Sequence, residues 1–123
     1  MEFLRLLLTN DIERSIEFSG YMVESLVQKT GVPAALDSNA VYLKDNCMKT
    51  DVNGVYCRNL SMTRKVKGPV CYGESLYQDN INECKALNKK EIKIEGMETS
   101  KRVEEVAEAY FQGIMNYVNR KSK

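Results

Sequence analysis

Hydrophobic and polar positions alternate along the chain in a way that predicts two strands and three helices. Residues 2–9 form an almost continuous apolar run of strand length, which predicts a strand covered on both faces. Residues 12–27 carry apolar side chains at helical spacing, after a candidate cap at Asn10 or Asp11. We expect this first helix to end near Gly31, because glycine readily adopts the left-handed conformation that closes helices.

The second half of the chain contains the second predicted strand and two further predicted helices. Residues 69–74 are apolar up to a glutamate and predict a second strand, and Asp79 or Asn80 can cap the helix that follows it. The last segment has the clearest helical pattern, with apolar residues three and four positions apart over four turns. We assign its aromatic stripe to the core. The apolar positions of this segment are Val103, Val106, Ala107, Tyr110, Phe111, Ile114 and Val118.

Four segments between these elements are less regular. Residues 41–46 fit either a strand or part of a long loop, and residues 51–54 carry a turn signal. Residues 59–65 predict a short helix, which should close before the following Gly-Pro pair. Residues 89–100 are charged and fit either a small hairpin or an exposed loop.

Taken in order, these elements predict an α/β fold in which a mostly parallel sheet is flanked by helices. We interpret residues 1–123 as a single domain, since the sequence shows neither an internal repeat nor a linker. Two strands alone make a poor independent sheet, so this architecture looks incomplete.

Charge and hydropathy exclude several classes of partner. The chain has 123 residues and a net charge of +1, so it lacks the basic excess of a general nucleic-acid binder. No stretch of the sequence is long and apolar enough to span a membrane. The apolar start has no basic n-region and no small-residue cleavage site, so we expect synthesis in the cytoplasm without a signal peptide. We therefore predict neither nucleic acid nor a membrane as a partner, and the final location stays open.

The four cysteines do not form a known metal motif. They lie at Cys47, Cys57, Cys71 and Cys84, without a C-x-x-C pair, which is poor spacing for a zinc ribbon. We favour four reduced thiols, although two disulfides remain an alternative in a secreted protein.

The sequence contains no histidine. This absence removes histidine general bases, Ser-His and Cys-His nucleophile pairs, and histidine metal ligands together. Any chemistry performed by this chain therefore rests on carboxylates, thiols, lysines or tyrosines.

Four stretches of the sequence, in order, resemble motifs of one enzyme family. They are residues 1–3 with 15–19 (MEF and SIEFS), 59–64 (NLSMTR), 69–80 (PVCYGESLYQDN) and 107–114 (AEAYFQGI). Together they are similar to the C-terminal part of the zinc-dependent N-acetylmuramoyl-L-alanine amidases, of the type-3 amidase family. The resemblance runs over nearly the whole chain, and it implies that residues 1–123 are the C-terminal portion of the family fold.

The resemblance also implies a reaction, the hydrolysis of the amide between N-acetylmuramic acid and L-alanine in peptidoglycan. In the family, zinc polarises the amide carbonyl and lowers the pKa of its bound water. The glutamate that matches Glu74 takes the proton of that water and gives it to the leaving amine. Read without the resemblance, Glu74 would pair with Arg64 or cap a helix.

Three further residues are candidates for substrate binding, again because of the family motifs. Arg64, Asn59 and Asn80 match positions near the substrate groove, and an arginine there could hold a peptide carboxylate through paired hydrogen bonds. The alternative stays open: Asn59 and Asn80 would be helix caps, and Arg64 would be a surface residue.

The chain departs from the family at the metal. The zinc ligands of the family are two histidines and a glutamate from the N-terminal half, and the motifs that carry them do not occur here. We therefore predict that the chain holds no cofactor of its own and is inactive alone. Its expected partners are peptidoglycan, whose degradation in the cell wall is the family's role, and either a missing N-terminal half or a homodimer partner.

Two alternatives to an amidase component remain. The chain could be a non-catalytic relative that serves as a binding or interaction module. It could also be an unrelated small α/β protein.

Overall fold

Helices dominate the computed structural model, which describes residues 2–120. The helices are α1 (Glu2–Leu8), α2 (Asp11–Thr30), α3 (Leu43–Asn46), α4 (Ser61–Lys65), α5 (Ile81–Asn88) and α6 (Lys101–Asn119). The strands are β1 (Met48–Lys49), β2 (Tyr56–Cys57), β3 (Ile92–Ile94) and β4 (Met97–Thr99). Met1, the first residue of the weakest family motif, lies outside the described residues.

The predicted α/β fold with a mostly parallel sheet is wrong. Within residues 2–120, strands form two separate antiparallel pairs, in which β1 pairs with β2 and β3 pairs with β4. Residues 2–8 form α1 rather than a strand, because the apolar residues of this run are mostly leucine, a good helix former, and none is β-branched. Residues 69–74 are irregular, and Pro69 has no N–H to donate to a ladder.

The central feature of the fold is the antiparallel packing of α2 against α6. Arg120 bonds Glu17 at 3.0 Å near one end of the pair, and Lys29 bonds Glu108 near the other. Gly113 lets the helices approach closely, since a Cβ at this position would lie 3.1 Å from the carbonyl oxygen of Tyr21. The aromatic ring of Tyr117 extends this contact against Phe18, with ring centroids 4.9 Å apart.

Local signals correctly placed the end of α2 and the start of α5. Gly31 closes α2 in the left-handed conformation (φ 69°), and its N–H donates to the carbonyl of Val27. Asn80 caps α5 and Ser100 caps α6 through side-chain oxygens. Asn10 precedes α2, but its side chain forms no capping hydrogen bond.

The irregular segments resolve into short elements. Residues 51–54 form the predicted turn, which connects β1 and β2 into a hairpin, and residues 61–65 form the short helix α4. Residues 89–100 contain the β3–β4 hairpin, one of the two alternatives for this segment. Residues 41–46 are neither a strand nor an open loop, since they end in the short helix α3.

Helix α6 buries a different face from the one we predicted. The face packed on α2 contains Ala109, Gly113 and Tyr117, all buried. Phe111 and Val118, which the helical pattern assigned to the core, are 65% and 63% exposed. Ala109 and Gly113 lie in the interior because their small size allows α6 to pack closely on α2. The assignment of the aromatic stripe to the core is therefore wrong for Phe111, whereas Tyr110 is half-buried.

No helix within residues 2–120 is both long and apolar enough to cross a membrane.

Candidate functional site

A groove of about 700 Å³ runs along one face of α2. One wall is the apolar face of α2, which includes Ile12, Ile16 and Val23. The other wall includes residues 42–43, 45–48, 54–60, 63–64 and 70–74. This is the place where the structure brings candidate site residues together.

Glu74 lies on this groove, in the irregular segment that follows Pro69. Its carboxylate is 3.8 Å from the guanidinium of Arg58, and its side chain is 60% exposed. Glu74 therefore neither ends a central strand, as the resemblance implied, nor pairs with Arg64. An exposed carboxylate beside a single loosely held cation is accessible to a ligand.

The backbone around Glu74 is held in an unusual conformation. Gly73 lies directly against Tyr110 of α6, where a Cβ would overlap the tyrosine hydroxyl. The same hydroxyl is 2.5 Å from Oγ of Ser75. Leu76 has φ 70°, a left-handed conformation that costs a non-glycine residue about 1–3 kcal/mol. The fold thus accepts backbone strain next to the candidate carboxylate.

Arg64 and Asn59 lie together on the same groove. Nη1 of Arg64 donates to Oδ1 of Asn59 at 2.6 Å, and Nε lies 3.7 Å from the carboxylate of Glu2. The guanidinium also lies 5.7 Å from the ring centroid of Phe3, within the range of a cation–π contact. Asn59 is therefore a partner of Arg64, and it makes no helix-capping bond.

Asn80 is not among the residues that line the groove. Its side-chain oxygen accepts from the backbone N–H groups of Asn82 at 3.0 Å and Glu83 at 3.2 Å. This is the capping role that we weighed as the alternative to substrate binding. A role of Asn80 in substrate binding stays a prediction.

A partly buried charge cluster fixes the wall that carries Arg64. Arg5 forms an ion pair with Asp11 and donates to the carbonyl oxygens of Arg64 at 2.8 Å and Val66 at 2.9 Å. The N–H of Gly68 donates to the same carboxylate at 3.3 Å. Sequence reasoning missed this cluster, although an arginine inside an apolar run was a visible signal.

The environment of Asp11 favours its ionised form. The hydroxyl of Thr9, the N–H of Gly68 and the guanidinium of Arg5 all lower the pKa of this carboxyl, against the opposing effect of burial. Asp11 is therefore a permanent anion at neutral pH, and it orders the segment between α4 and residue 70.

A second polar cluster supports the part of the same wall that contains the β1–β2 hairpin. The hydroxyl of Tyr56 donates to Asp37 at 2.8 Å, and Lys49 lies 3.3 Å from the same carboxylate. The bond from Tyr56 and the charge of Lys49 lower the pKa of Asp37. Burial and the neighbouring carboxylate raise the pKa of Tyr56. This tyrosine therefore acts as a hydrogen-bond donor that ties the β1–β2 hairpin to residue 37.

The donor set does not fit the zinc site of the amidase family. The chain has no histidine, and no group of three or more metal-ligating side chains exists within residues 2–120. Cys47, Cys57 and Cys71 line the groove, but all four cysteines are half-buried free thiols. Burial raises the pKa of Cys57, which disfavours the thiolate that metals bind.

Comparison with known proteins adds no relative. No family profile matches the chain, and neither a curated protein nor a solved structure was found to match it. The assignment of a function therefore depends on the residues and on the groove.

Proposed function

We propose that this chain supplies an acid/base carboxylate and part of the substrate groove to a composite enzyme that hydrolyses the muramoyl–alanine amide of peptidoglycan. On its own the chain is inactive. The observation that carries the proposal is that Glu74, Arg64 and Asn59, which the family motifs single out, line one groove although the motifs are separate in the sequence. The fourth candidate, Asn80, lies elsewhere and has a structural role.

The proposed role of Glu74 is proton transfer. The carboxylate accepts a proton from the water that adds to the amide carbonyl carbon. It then returns this proton to the nitrogen of L-alanine as the C–N bond breaks, which leaves a muramic acid carboxylate and a free amine. Arg58, 3.8 Å away, holds the carboxylate at the wall of the groove without enclosing it.

The proposed role of Arg64 is to orient the peptide. Asn59 bonds Nη1 and therefore fixes the plane of the guanidinium. A fixed guanidinium recognises a carboxylate with directional hydrogen bonds, and muramyl peptides carry carboxylates along the stem peptide. The apolar face of α2 then contacts the alanine side of the substrate.

Reconstitution tests the proposal. The purified chain is mixed with the zinc-bearing N-terminal half of a family amidase, and release of the free alanine amine from a muramyl tripeptide is followed by mass spectrometry. We expect no release by the chain alone and measurable release by the mixture. If no zinc-bearing half restores cleavage, the proposal fails.

Two variants locate the chemistry within the restored enzyme. Glu74→Gln keeps the size of the side chain but cannot accept a proton, so we expect the rate to fall by about 10²–10⁴-fold. Glu13→Gln, which removes an exposed carboxylate of α2, is the matched control and should keep the full rate. Equal rates for the two variants would remove Glu74 from the reaction.

A second candidate function is a non-catalytic peptide-binding module. The observation that favours it is that Arg58, Arg64 and the apolar wall form a groove, while no group of three or more metal-ligating side chains exists within residues 2–120. Calorimetric titration of the chain alone with the muramyl tripeptide distinguishes the two functions. A binding module binds the peptide equally well after Glu74→Gln, loses affinity after Arg64→Ala, and gains no activity from the zinc-bearing half.

A further inference from the structure

One dipeptide of the chain, Asn53-Gly54, combines a thermolabile residue with a glycine. It is the only Asn-Gly or Asp-Gly pair among the 123 residues. An asparagine side chain can react with the backbone nitrogen of the residue that follows it, and a side chain on that residue obstructs the approach. Glycine has no Cβ and leaves its nitrogen accessible. The sequence therefore marks Asn53 as the asparagine most open to this reaction.

The structure places this pair at the tip of the β1–β2 hairpin. The N–H of Val55 donates to the carbonyl oxygen of Val52 at 3.1 Å, which closes a β-turn with Asn53 and Gly54 at its centre. Gly54 has φ 79°, whereas Asn53 does not have a positive φ, and this combination fits a type II turn.

Both reacting groups at this tip are free of other bonds. Asn53 is exposed, and within residues 2–120 neither its carboxamide nor the N–H of Gly54 forms a hydrogen bond to another protein group. The loop is held instead by Thr50, whose hydroxyl donates to the carbonyl of Val55 at 2.8 Å and accepts from the N–H of Val52 at 3.1 Å. The carboxamide of Asn53 is therefore free to rotate.

Other asparagines of the chain are engaged in structure. Oδ1 of Asn80 accepts from two backbone N–H groups at the start of α5, and Nδ2 of Asn88 donates to the carbonyl of Cys84 at 2.8 Å. Their neighbours in the sequence, Ile81 and Lys89, also carry side chains that obstruct the backbone nitrogen. Asn53 thus differs from them in both respects.

The turn also controls the reaction. A type II turn keeps its first central residue extended, so the carboxamide of Asn53 reaches the nitrogen of Gly54 only when the turn opens locally. A single backbone hydrogen bond closes this turn, and the tip is exposed. Local opening is therefore accessible in the folded protein, although the reaction is slower there than in an unfolded chain.

We propose that Asn53 is a site of spontaneous deamidation, and that one of its two products changes the wall of the groove. The nitrogen of Gly54 bonds to Cγ of Asn53, its proton passes to water, and the side-chain nitrogen leaves as ammonia. Water then opens the cyclic imide. Cleavage of the new bond to Cγ gives aspartate, and cleavage of the bond to the main-chain carbonyl carbon gives isoaspartate. Overall, one water is consumed and one ammonia is released.

The isoaspartate product lengthens the turn, because its main chain runs through Cβ and Cγ and so gains one atom before Gly54. The backbone at Gly54 has no room to move inward, since a Cβ there would lie 2.8 Å from Cβ of Ala34 and 3.0 Å from Cγ1 of Val23. Val55, the next residue, is 6% exposed, and residues 54–57 line the groove. Isoaspartate therefore displaces this part of the wall from α2, whereas aspartate only adds a charge at an exposed position. The proposal does not rest on the amidase role, since the reaction involves only residues 53 and 54 and water.

Incubation of the folded chain at neutral pH and physiological temperature tests the reaction. Peptide mapping by mass spectrometry measures the replacement of amide by carboxyl at each asparagine, and a methyltransferase specific for isoaspartyl residues detects that product. We expect Asn53 to convert faster than every other asparagine. Asn53→Gln is the matched control and should not convert, because its longer side chain must close a larger ring. Conversion of Asn53 in urea but not in the folded protein would mean that the turn protects it, and would overturn the proposal.

The separated products test the effect on the groove. Asn53→Asp is the matched variant for charge, since it carries the same carboxylate on an ordinary main chain, and it should unfold at the same urea concentration as the wild type. The isoaspartate form, purified by ion exchange, should unfold at a lower urea concentration. Its half-buried Cys57, which lines the groove, should also react faster with iodoacetamide. Equal unfolding midpoints and equal labelling of Cys57 in the two proteins would contradict a change in the wall.

Discussion

At the residue scale, Asp11 is the charge on which the groove wall depends. Its carboxylate is 4% exposed and holds Arg5, whose other bonds fix the carbonyls after α4. The folded state binds this carboxylate in its ionised form, so the pKa of Asp11 lies below its ordinary value of 3.8. Stability from this group is therefore complete above pH 3.8 and is lost as pH falls through the lower folded pKa.

We expect the melting temperature of the wild-type chain to drop steeply below about pH 4 for this reason. Asp11→Asn should melt at a lower temperature at neutral pH, because it leaves Arg5 without its counter-charge, and it should show a smaller acid dependence. Thermal melts followed by circular dichroism from about pH 2 to about pH 7 measure both effects. Parallel pH profiles for the two proteins would show that Asp11 carries none of the acid sensitivity.

Asn80 offers a second test at this scale, because its two candidate roles predict different results. If Asn80 caps α5, Asn80→Ala should lower the free energy of unfolding by about 1 kcal/mol. Asn82→Ala, in the exposed first turn of the same helix, should lower the free energy of unfolding by a smaller amount. Denaturant unfolding measures both variants. Loss of peptide affinity in Asn80→Ala at unchanged stability would instead support the substrate-binding role.

At the element scale, the packing of α2 on α6 depends on a single glycine. A Cβ at Gly113 would lie 2.7 Å from Sδ of Met22 and 3.1 Å from two backbone atoms of α2. The helices cannot give way at the backbone without separating, so the glycine is required for the close approach and not for flexibility.

Gly113→Ala should therefore destabilise the fold by about 1–2 kcal/mol, because overpacking outweighs the helix propensity that alanine adds. Gly20→Ala is the comparison inside α2, where a Cβ would meet only Cγ1 of Val52 at 3.3 Å. We expect that variant to be neutral or up to about 1 kcal/mol more stable. Urea unfolding measures the stability of both variants. Equal changes in the free energy of unfolding would contradict the close packing at Gly113.

Elements with local signals could be predicted from the sequence, and those defined by distant partners could not. Helix α2 was recognisable because its periodic apolar positions end at Gly31, and α5 because Asn80 begins it. The run at residues 2–8 fits a strand or a helix equally by hydropathy, and its leucine-rich composition and its packing against α2 and α4 favour the helix. Residues 69–74 are apolar like a strand, but a strand also needs a neighbour to bond.

The candidate site was likewise predictable from the sequence only in part. The family motifs pointed to Glu74, Arg64 and Asn59, and the structure places all three on one groove. Pattern alone did not predict the partner of Glu74, which is Arg58, nor the anchoring of its segment by Tyr110. These contacts join residues from distant parts of the chain, so no short-range pattern in the sequence predicts them.

At the scale of the whole molecule, the interior is small for a chain of this length. The buried hydrophobic residues within the described part are Met22, Ala40, Val55, Ala109 and Tyr117. The groove and the exposed face of α6 around Phe111 and Val118 leave large apolar side chains in solvent. A chain with so little buried apolar area should be stabilised strongly by any partner that covers these surfaces.

We therefore predict that the zinc-bearing half raises the unfolding free energy of this chain in a concentration-dependent way. The increase should reach about 2.7 kcal/mol when the free partner is at about 100 times its dissociation constant. Differential scanning calorimetry at increasing partner concentration measures it. An unchanged melting temperature at saturating partner would mean that the two do not associate.

The pairing of α2 with α6 also has a consequence for how the protein is made. Met22 and Gly113 touch, although most of the chain lies between them. Closing so long a loop is entropically costly and slows folding relative to helical proteins with local contacts. During translation, α2 emerges before residues 101–119, which cover its apolar face. We therefore expect a chain that is truncated before α6 to remain unfolded, which circular dichroism of residues 1–100 would measure.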